Sequence, residues 1–390
     1  MWRHTKIIVI YWYCHMTQRR PFCTVPFAEG FSGPGFSGVN SEFRNCCLTD
    51  PQILSQPGQT FTDWQQDPRL IAFKKSMYTE GWHKDCYRCQ LQEEESGSSF
   101  RTAVNDQVKI DKNFGIWPSR WHIKFGNICN LACWTCDEHS SSVIAQHKKT
   151  IKILDENFID PTQQFKTLWT TLEHDVLKSY DYHDIITLSL LGGEPLYNKI
   201  VSNFLSRLKD LGLASRTRLE FHTNGTKINE TLFSKNTWNY VCVFLSLDAI
   251  GKKAEWLRYG GRWQDIESNI TFFKSVADYL EVHCTLSILN INDLPSLDKF
   301  CKILDLPLKI LLLSEPNFMS IIKWAGNKNL ITDPNYLANN GFDYYYNLIG
   351  SNPDNNSVTQ LKDYINQYNS IRHNLKDYDI RLYNAINSLS

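Results

Sequence analysis

The sequence has no net charge: 41 Lys and Arg balance 41 Asp and Glu, and no block of one sign interrupts the mixture. Without a net field, recruitment of nucleic acid or of an anionic membrane surface is excluded as an organising function. Long apolar runs are also missing. The longest candidate, Ile7 to Tyr13, falls well short of the about 20 residues that a bilayer-spanning helix needs. No small-residue cleavage site follows it, so it does not read as a secretory signal. It reads either as a first strand or as part of an over-extended reading frame ahead of a start at Met16, a choice that mass spectrometry of the N-terminus decides. There is no internal repeat, no phosphate-cradling G-x-x-x-x-G-K and no H-E-x-x-H.

What the sequence does have is room and cysteine. Its 390 residues, 42% hydrophobic, suffice for two or three domains of about 150 residues each. The 12 cysteines fall into pairs and triplets, a pattern that suits metal or cluster ligation in a reducing compartment better than a disulfide framework. The expected location is the cytoplasm. Cys14, Cys242, Cys284 and Cys301 stand alone and read as core residues.

From Trp121 short apolar runs alternate with helical segments, the pattern of βα units on a parallel sheet. The expected strands lie near 121–125, 185–191, 217–222, 240–247, 282–289 and 308–313, with helices near 139–154, 199–211, 230–236, 263–279 and 295–304. Six such units make an α/β fold, a partial, TIM-like (β/α)6 barrel, in which functional groups sit at the C-terminal ends of strands. In Tyr240 to Asp248 the aliphatic Val241, Val243, Leu245 and Leu247 alternate with a face that ends in Ser246 and Asp248. Upstream, residues 22–101 read as a small loop-rich module. Pro26 to Gly38 is too rich in Gly and Pro for a helix or central strand, Trp64 to Met77 supplies one helix, and Glu95 to Ser99 forms a joint. So thin a core calls for a staple. The expected division is therefore an N-terminal extension (1–21), this module (22–101), the barrel (115–316), and a helical and irregular cap (317–390) with a helix near 358–374.

The segment Trp121 to Cys136 places Cys129, Cys133 and Cys136 in a C-x3-C-x2-C run. Three thiolates are one short of a closed zinc site or a fully ligated cubane; a zinc knuckle and plain buried thiols remain open on these residues alone. Further on come Leu191-Gly192-Gly193-Glu194-Pro195 and Thr223-Asn224-Gly225, each at an expected strand end, and then Trp256 to Trp263 with Arg258 and Arg262. Together the cysteine run and the GGEP turn resemble those of the radical S-adenosylmethionine (SAM) enzymes over about residues 120–315. The resemblance implies a 4Fe-4S cluster on the three cysteines, whose open iron chelates the amino and carboxylate groups of SAM. It also implies reductive cleavage to a 5′-deoxyadenosyl radical, with the electron supplied by a flavodoxin or ferredoxin type of reductant.

By the same resemblance Gly192, Gly193 and Glu194 hold the SAM amino group, Ser246 and Asp248 the ribose, and Arg258, with Arg262 second, the carboxylate. Thr223 and Asn224 are further ligand contacts or turn formers, His222 is a core histidine or a proton donor, and Leu289 abuts adenine or packs inside the barrel. One departure is Thr135, where the family often has an aromatic residue before its third cysteine. Cys23, Cys46, Cys47, Cys86 and Cys89 resemble the twitch or SPASM modules that hold an auxiliary Fe-S cluster, although such modules usually follow the barrel. Five cysteines exceed four ligands, so Cys46 or Cys47 is spare; a structural zinc or unligated thiols are the alternatives. The implied activity is hydrogen abstraction from an unidentified substrate, a peptide by analogy. The competing reading is a noncatalytic Fe-S or zinc scaffold or electron carrier on a vestigial barrel.

Overall fold

A computed structural model of the protein describes residues 23–32, 43–49, 53–56, 58–79, 82–107, 117–324, 331, 333–348 and 355–388. The Ile7–Tyr13 strand, the Met16 start and Cys14 lie outside the described residues. Alternation of apolar and polar side chains builds one eight-stranded sheet from β1 (Glu29–Ser32), β2 (Phe43–Arg44), β3 (Arg120–Lys124), β5 (Ile186–Leu191), β6 (Thr217–Thr223), β7 (Tyr240–Ser246), β9 (Tyr279–Leu286) and β10 (Leu308–Leu312). Two short strands, β4 (Ala132–Cys133) and β8 (Arg258–Tyr259), pair separately. The order is β10-β9-β7-β6-β5-β3-β1-β2, parallel throughout except for the antiparallel β1–β2 pair. The fold is thus mixed α/β on a parallel sheet.

One face of the sheet is the core. Trp121, Ile123, Leu188, Leu190, Leu219, Phe221, Val241, Val243 and Leu245 are buried there beneath the crossover helices. Each fully buried Leu or Ile contributes about 1.5–3 kcal/mol relative to exposure, so a one-residue slip of register would be heavily penalised. The opposite face carries polar groups such as Arg120, His122, Ser189, Glu220, His222 and His283. Arg120 is ion-paired there to Glu220, and His122 Nε2 lies 3.1 Å from Glu29. A second core joins Trp134, Trp256, Leu286 and Leu289 to the C-terminal helices through Leu361, Tyr368 and Leu382.

Three local expectations are corrected. The described part of Pro26 to Gly38, read as too rich in Gly and Pro for a helix or central strand, belongs to a helical turn, Val25–Ala28, with Pro26 at its start, and then to β1, buried throughout and paired to β3; residues 33–38 lie outside the described residues. Gly30 explains this: a Cβ there would meet the Trp121 ring at 2.6 Å, so glycine marks a close approach inside the sheet. The expected helix near 230–236 is absent. The Asn229 side chain accepts from the Leu232 N–H as a helix cap would, but the turn ends at Phe233, and a separate turn follows in which Asn236 takes a left-handed φ of 66°. Conversely, a 19-residue helix, Pro161–Ser179, was not foreseen. Its signals are present: Asp160 caps it with a 2.8 Å bond from the Thr162 N–H, Pro161 occupies the first position, and Phe165, Leu168, Leu172 and Val176 form its buried stripe. Glu95 and Ser96 close the helix Tyr87–Ser96, which Gly97 ends in the left-handed conformation; the joint is shorter than expected. No helix among the described residues is long and apolar enough to cross a membrane.

Candidate functional site

The cysteine loop leaves the C-terminal end of β3 and is clamped from three sides. From β5, the Glu194 N–H donates to Ile128 O at 2.8 Å, and Gly192 and Gly193 adopt φ of 86° and 59°. A Cβ at Gly192 would lie 2.5 Å from Gly126 O, and one at Gly193 only 2.1 Å from Ile128 O, so these glycines permit backbone contact with the cysteine loop. From the helices, Thr162 Oγ1 accepts from Asn127 N–H (3.1 Å) and donates to Asn127 Oδ1 (2.8 Å), while Ser141 Oγ donates to Leu131 O (2.6 Å). From β6, Asn224 Nδ2 donates to Asn130 Oδ1 (2.9 Å), and Asn130 Nδ2 donates to Thr226 Oγ1 (2.8 Å). Asn127, Asn130, Ser141 and Thr162 were not singled out from the sequence; Thr162 carried a signal as the residue after an Asp-Pro helix start, and Ser141 as the cap of the helix Ser142–Thr150.

Within the loop, β4 pairs with β8 so that Cys133 faces Arg258 in register, with Arg258 Nη1 3.9 Å from the Cys133 sulfur. Arg258 Nη2 is 2.9 Å from Asp248 Oδ2, and Asp248 Oδ1 accepts from the Thr285 N–H at 2.9 Å. Burial opposes the Arg258 charge, but Asp248 and Cys133 outweigh it and hold its pKa above the ordinary value. Arg258 Nε is buried with no hydrogen-bond partner. Cys129, Cys133 and Cys136 are each pushed upward by burial, Cys129 to about 12, with the neighbouring cysteines adding to the shift in Cys129 and Cys136. Such thiols are neutral unless a metal takes their protons, so the donor set fits a metal cluster and not a free thiolate nucleophile. Among the described residues, no three His, Cys, Asp or Glu side chains converge on a point where a single metal ion would sit.

Glu194 is fully buried and accepts three bonds: Oε1 from the Leu196 N–H (3.1 Å) and the Thr223 hydroxyl (2.9 Å), Oε2 from the Asn224 N–H (2.7 Å). Burial pushes its pKa up to about 7, against those bonds. The folded state therefore holds a proton that the unfolded chain has released. Stability from this group is present below about pH 4.5 and is lost as the pH rises toward 7. Relative to Glu194→Gln, the ligand-free wild type is expected to lose about 1.4 kcal/mol per unit of that shift and then level off. Urea denaturation of both proteins from pH 4.5 to 8 measures this, and a pH-independent difference would contradict it.

The remaining candidates fall at varied distances from this centre. Ser246 is half-buried at the end of β7, and Leu289 is buried in the second core beside Trp134. His222 lies on the polar face, 4.7 Å from the Phe244 ring and 5.2 Å from His283; burial lowers its pKa to about 4, so it is neutral at pH 7. Arg262 is exposed and forks onto Asp265 (2.7 and 2.8 Å).

In the N-terminal region, Cys86 ends a 3-10 turn and Cys89 lies in the helix that follows, so both project from one turn. With Cys23 and Cys46 they line one apolar cavity, with Phe100 also in its wall and Cys47 outside it. Burial raises Cys23, Cys86 and Cys89, and each of the three is raised further by Cys46. Cys47 is instead hydrogen-bonded to the free thiol of Cys46, and this holds Cys46 below its ordinary value.

No protein-family model matches the sequence, and no curated protein matches it. Among solved structures, native anSMEcpe with bound AdoMet and a Cp18Cys peptide is 20% identical over 57% of this chain and 61% of its own, with a TM-score of 0.37. SuiB of Streptococcus suis bound to its precursor peptide SuiA is 15% identical over 82% of this chain and 64% of its own, with a TM-score of 0.36. TYW1 with a lysine-pyruvate adduct is 14% identical over 47% of this chain and 61% of its own, with a TM-score of 0.28. The chain spans less than two thirds of each of these proteins. At such low identities and TM-scores, what the chain does has to be argued from its own residues.

Proposed function

We propose that the protein is a radical SAM enzyme on a partial (β/α)6 barrel (115–316), with an N-terminal auxiliary-cluster module (22–101) and a C-terminal cap (317–390). The observation that carries this is one cluster of groups at the carboxyl ends of β3, β5, β6 and β7. Three thiols lie in a loop seated on two glycines, beside the Arg258–Asp248 pair. A 4Fe-4S cluster held by Cys129, Cys133 and Cys136 would supply the electron that cleaves SAM, giving a 5′-deoxyadenosyl radical for hydrogen abstraction.

The chain's own residues bind and orient. An ionised carboxylate has about four acceptor sites; Glu194 uses three within the protein, and the remaining one suits the ammonium of SAM. Asp248 positions Arg258, whose unpartnered Nε is a buried donor for a carboxylate. Ser246, at the open end of β7, is the candidate for the ribose. Thr223 and Asn224 hold Glu194, and Gly192 and Gly193 hold the cysteine loop. Leu289, buried in the core cluster that also holds Trp134, is the candidate for adenine or for packing inside the barrel. Cys23, Cys46, Cys86 and Cys89 are assigned to the auxiliary Fe-S cluster, leaving Cys47 as the spare cysteine. A flavodoxin or ferredoxin is the expected reductant, the cytoplasm the expected compartment, and a peptide the substrate class to try first.

The test is anaerobic reconstitution with iron and sulfide, followed by dithionite and SAM. Formation of 5′-deoxyadenosine is the expected result. A cluster-loaded protein that forms none would leave the scaffold or electron carrier in its place.

A further inference from the structure

Arg372 lies in the C-terminal region, beyond every motif used above, yet it is 4% exposed and packs against the cysteine loop. Its guanidinium carbon is 4.0 Å from the centroid of the Tyr368 ring and 4.7 Å from that of Trp134, the residue that follows Cys133. Nε donates to His147 Nδ1 at 3.4 Å, whereas both Nη atoms are buried without a hydrogen-bond partner. Trp134 Nε1 and the Tyr368 hydroxyl are unpartnered in the same place. The neighbouring Tyr364 hydroxyl gives its proton to Trp134 O (3.3 Å).

A guanidinium does not lose its charge in a protein, and two flanking rings offset only part of its desolvation. The group therefore calls for an anion. Nearby Glu138 is already paired to Lys148. The guanidinium lies over Trp134, the residue next to Cys133, so its charge sits beside the loop that carries the three cysteines. Potentials of Fe-S sites follow net charge and hydrogen bonds at the ligating sulfurs.

We propose that Arg372 is a positioning residue of the C-terminal cap that holds a buried positive charge over Trp134, next to Cys133 in the cysteine loop, and so eases reduction of the cluster bound there. This rests on the radical SAM reading. It further implies that residues after the barrel are part of the redox site.

The experiment is an EPR-monitored redox titration of reconstituted full-length protein, following the signal that changes on adding SAM. That response identifies the three-cysteine site. Arg372→Met, which replaces a buried ion by an apolar side chain of similar reach, is expected to load normal iron. It should shift the one-electron reduction equilibrium about tenfold toward the oxidised state, 59 mV per factor of ten. Arg372→Lys, which keeps the charge, is expected to stay near wild type. An unchanged potential in Arg372→Met, or an Arg372→Lys protein as hard to reduce as Arg372→Met, overturns the proposal. If Arg372→Met fails to load iron, normal loading of Arg372→Lys upholds the role of the charge, and failure of both assigns Arg372 to shape alone. A wild type without any SAM-responsive signal counts against the radical SAM reading itself.

Discussion

Replacing Cys129, Cys133 and Cys136 together by alanine is expected to abolish 5′-deoxyadenosine formation while about four irons per chain remain after reconstitution. The loss follows from the donor set. Each thiol is half-buried and its pKa is raised, so only a metal that displaces the protons makes these residues ligands, and without them nothing seats iron beside Arg258. The retained iron follows from the separate cavity lined by Cys23, Cys46, Cys86 and Cys89. Adding Cys46→Ser to the triple variant is expected to remove that iron, whereas adding Cys47→Ser leaves it. Iron and sulfide counting with UV-visible spectra reads all three proteins. A triple variant with no iron overturns the second site, and equal losses from the two serine variants overturn the choice of ligand.

The strands of the core were legible because each carries its own signal. In β7 the aliphatic residues at alternate positions all turn to the helices, and the boundaries of β3, β5, β6 and β10 lie close to the reading. What was not legible depends on contacts between distant residues. β1 looks like a loop until Trp121 occupies the space beside Gly30, and residues 230–236 look like a helix although the chain there makes two separate turns. The same holds in the candidate site. Spacing picked out the cysteines, and the resemblance it supports picked out the GGEP turn and Arg258. Spacing could not reveal that the two glycines face the cysteine loop, that Asp248 holds Arg258, or that Arg372 reaches Trp134 from the far end of the chain.

Gly193→Ala is expected to have the largest effect of any single glycine substitution, because it combines two costs. A left-handed φ of 59° costs an alanine about 1–2 kcal/mol. The added Cβ would also lie 2.1 Å from Ile128 O and 2.7 Å from Ile128 C, backbone atoms that move only if the cysteine loop moves with them. Overpacking of this kind adds about 1–3 kcal/mol, and the shift falls on the residue preceding Cys129. Gly212 provides the control: its φ of 71° carries the same backbone cost, but a Cβ there would meet nothing within 4 Å. Gly212→Ala is therefore expected to lower the denaturation midpoint slightly and leave iron loading intact, while Gly193→Ala lowers it further and loses the SAM-responsive cluster. Equal iron loading and equal midpoints in the two variants would show that the GGEP turn does not seat the cysteine loop. A Gly193→Ala protein that keeps its fold but loads only the four-cysteine site would separate the cost to the loop from the cost to the fold as a whole.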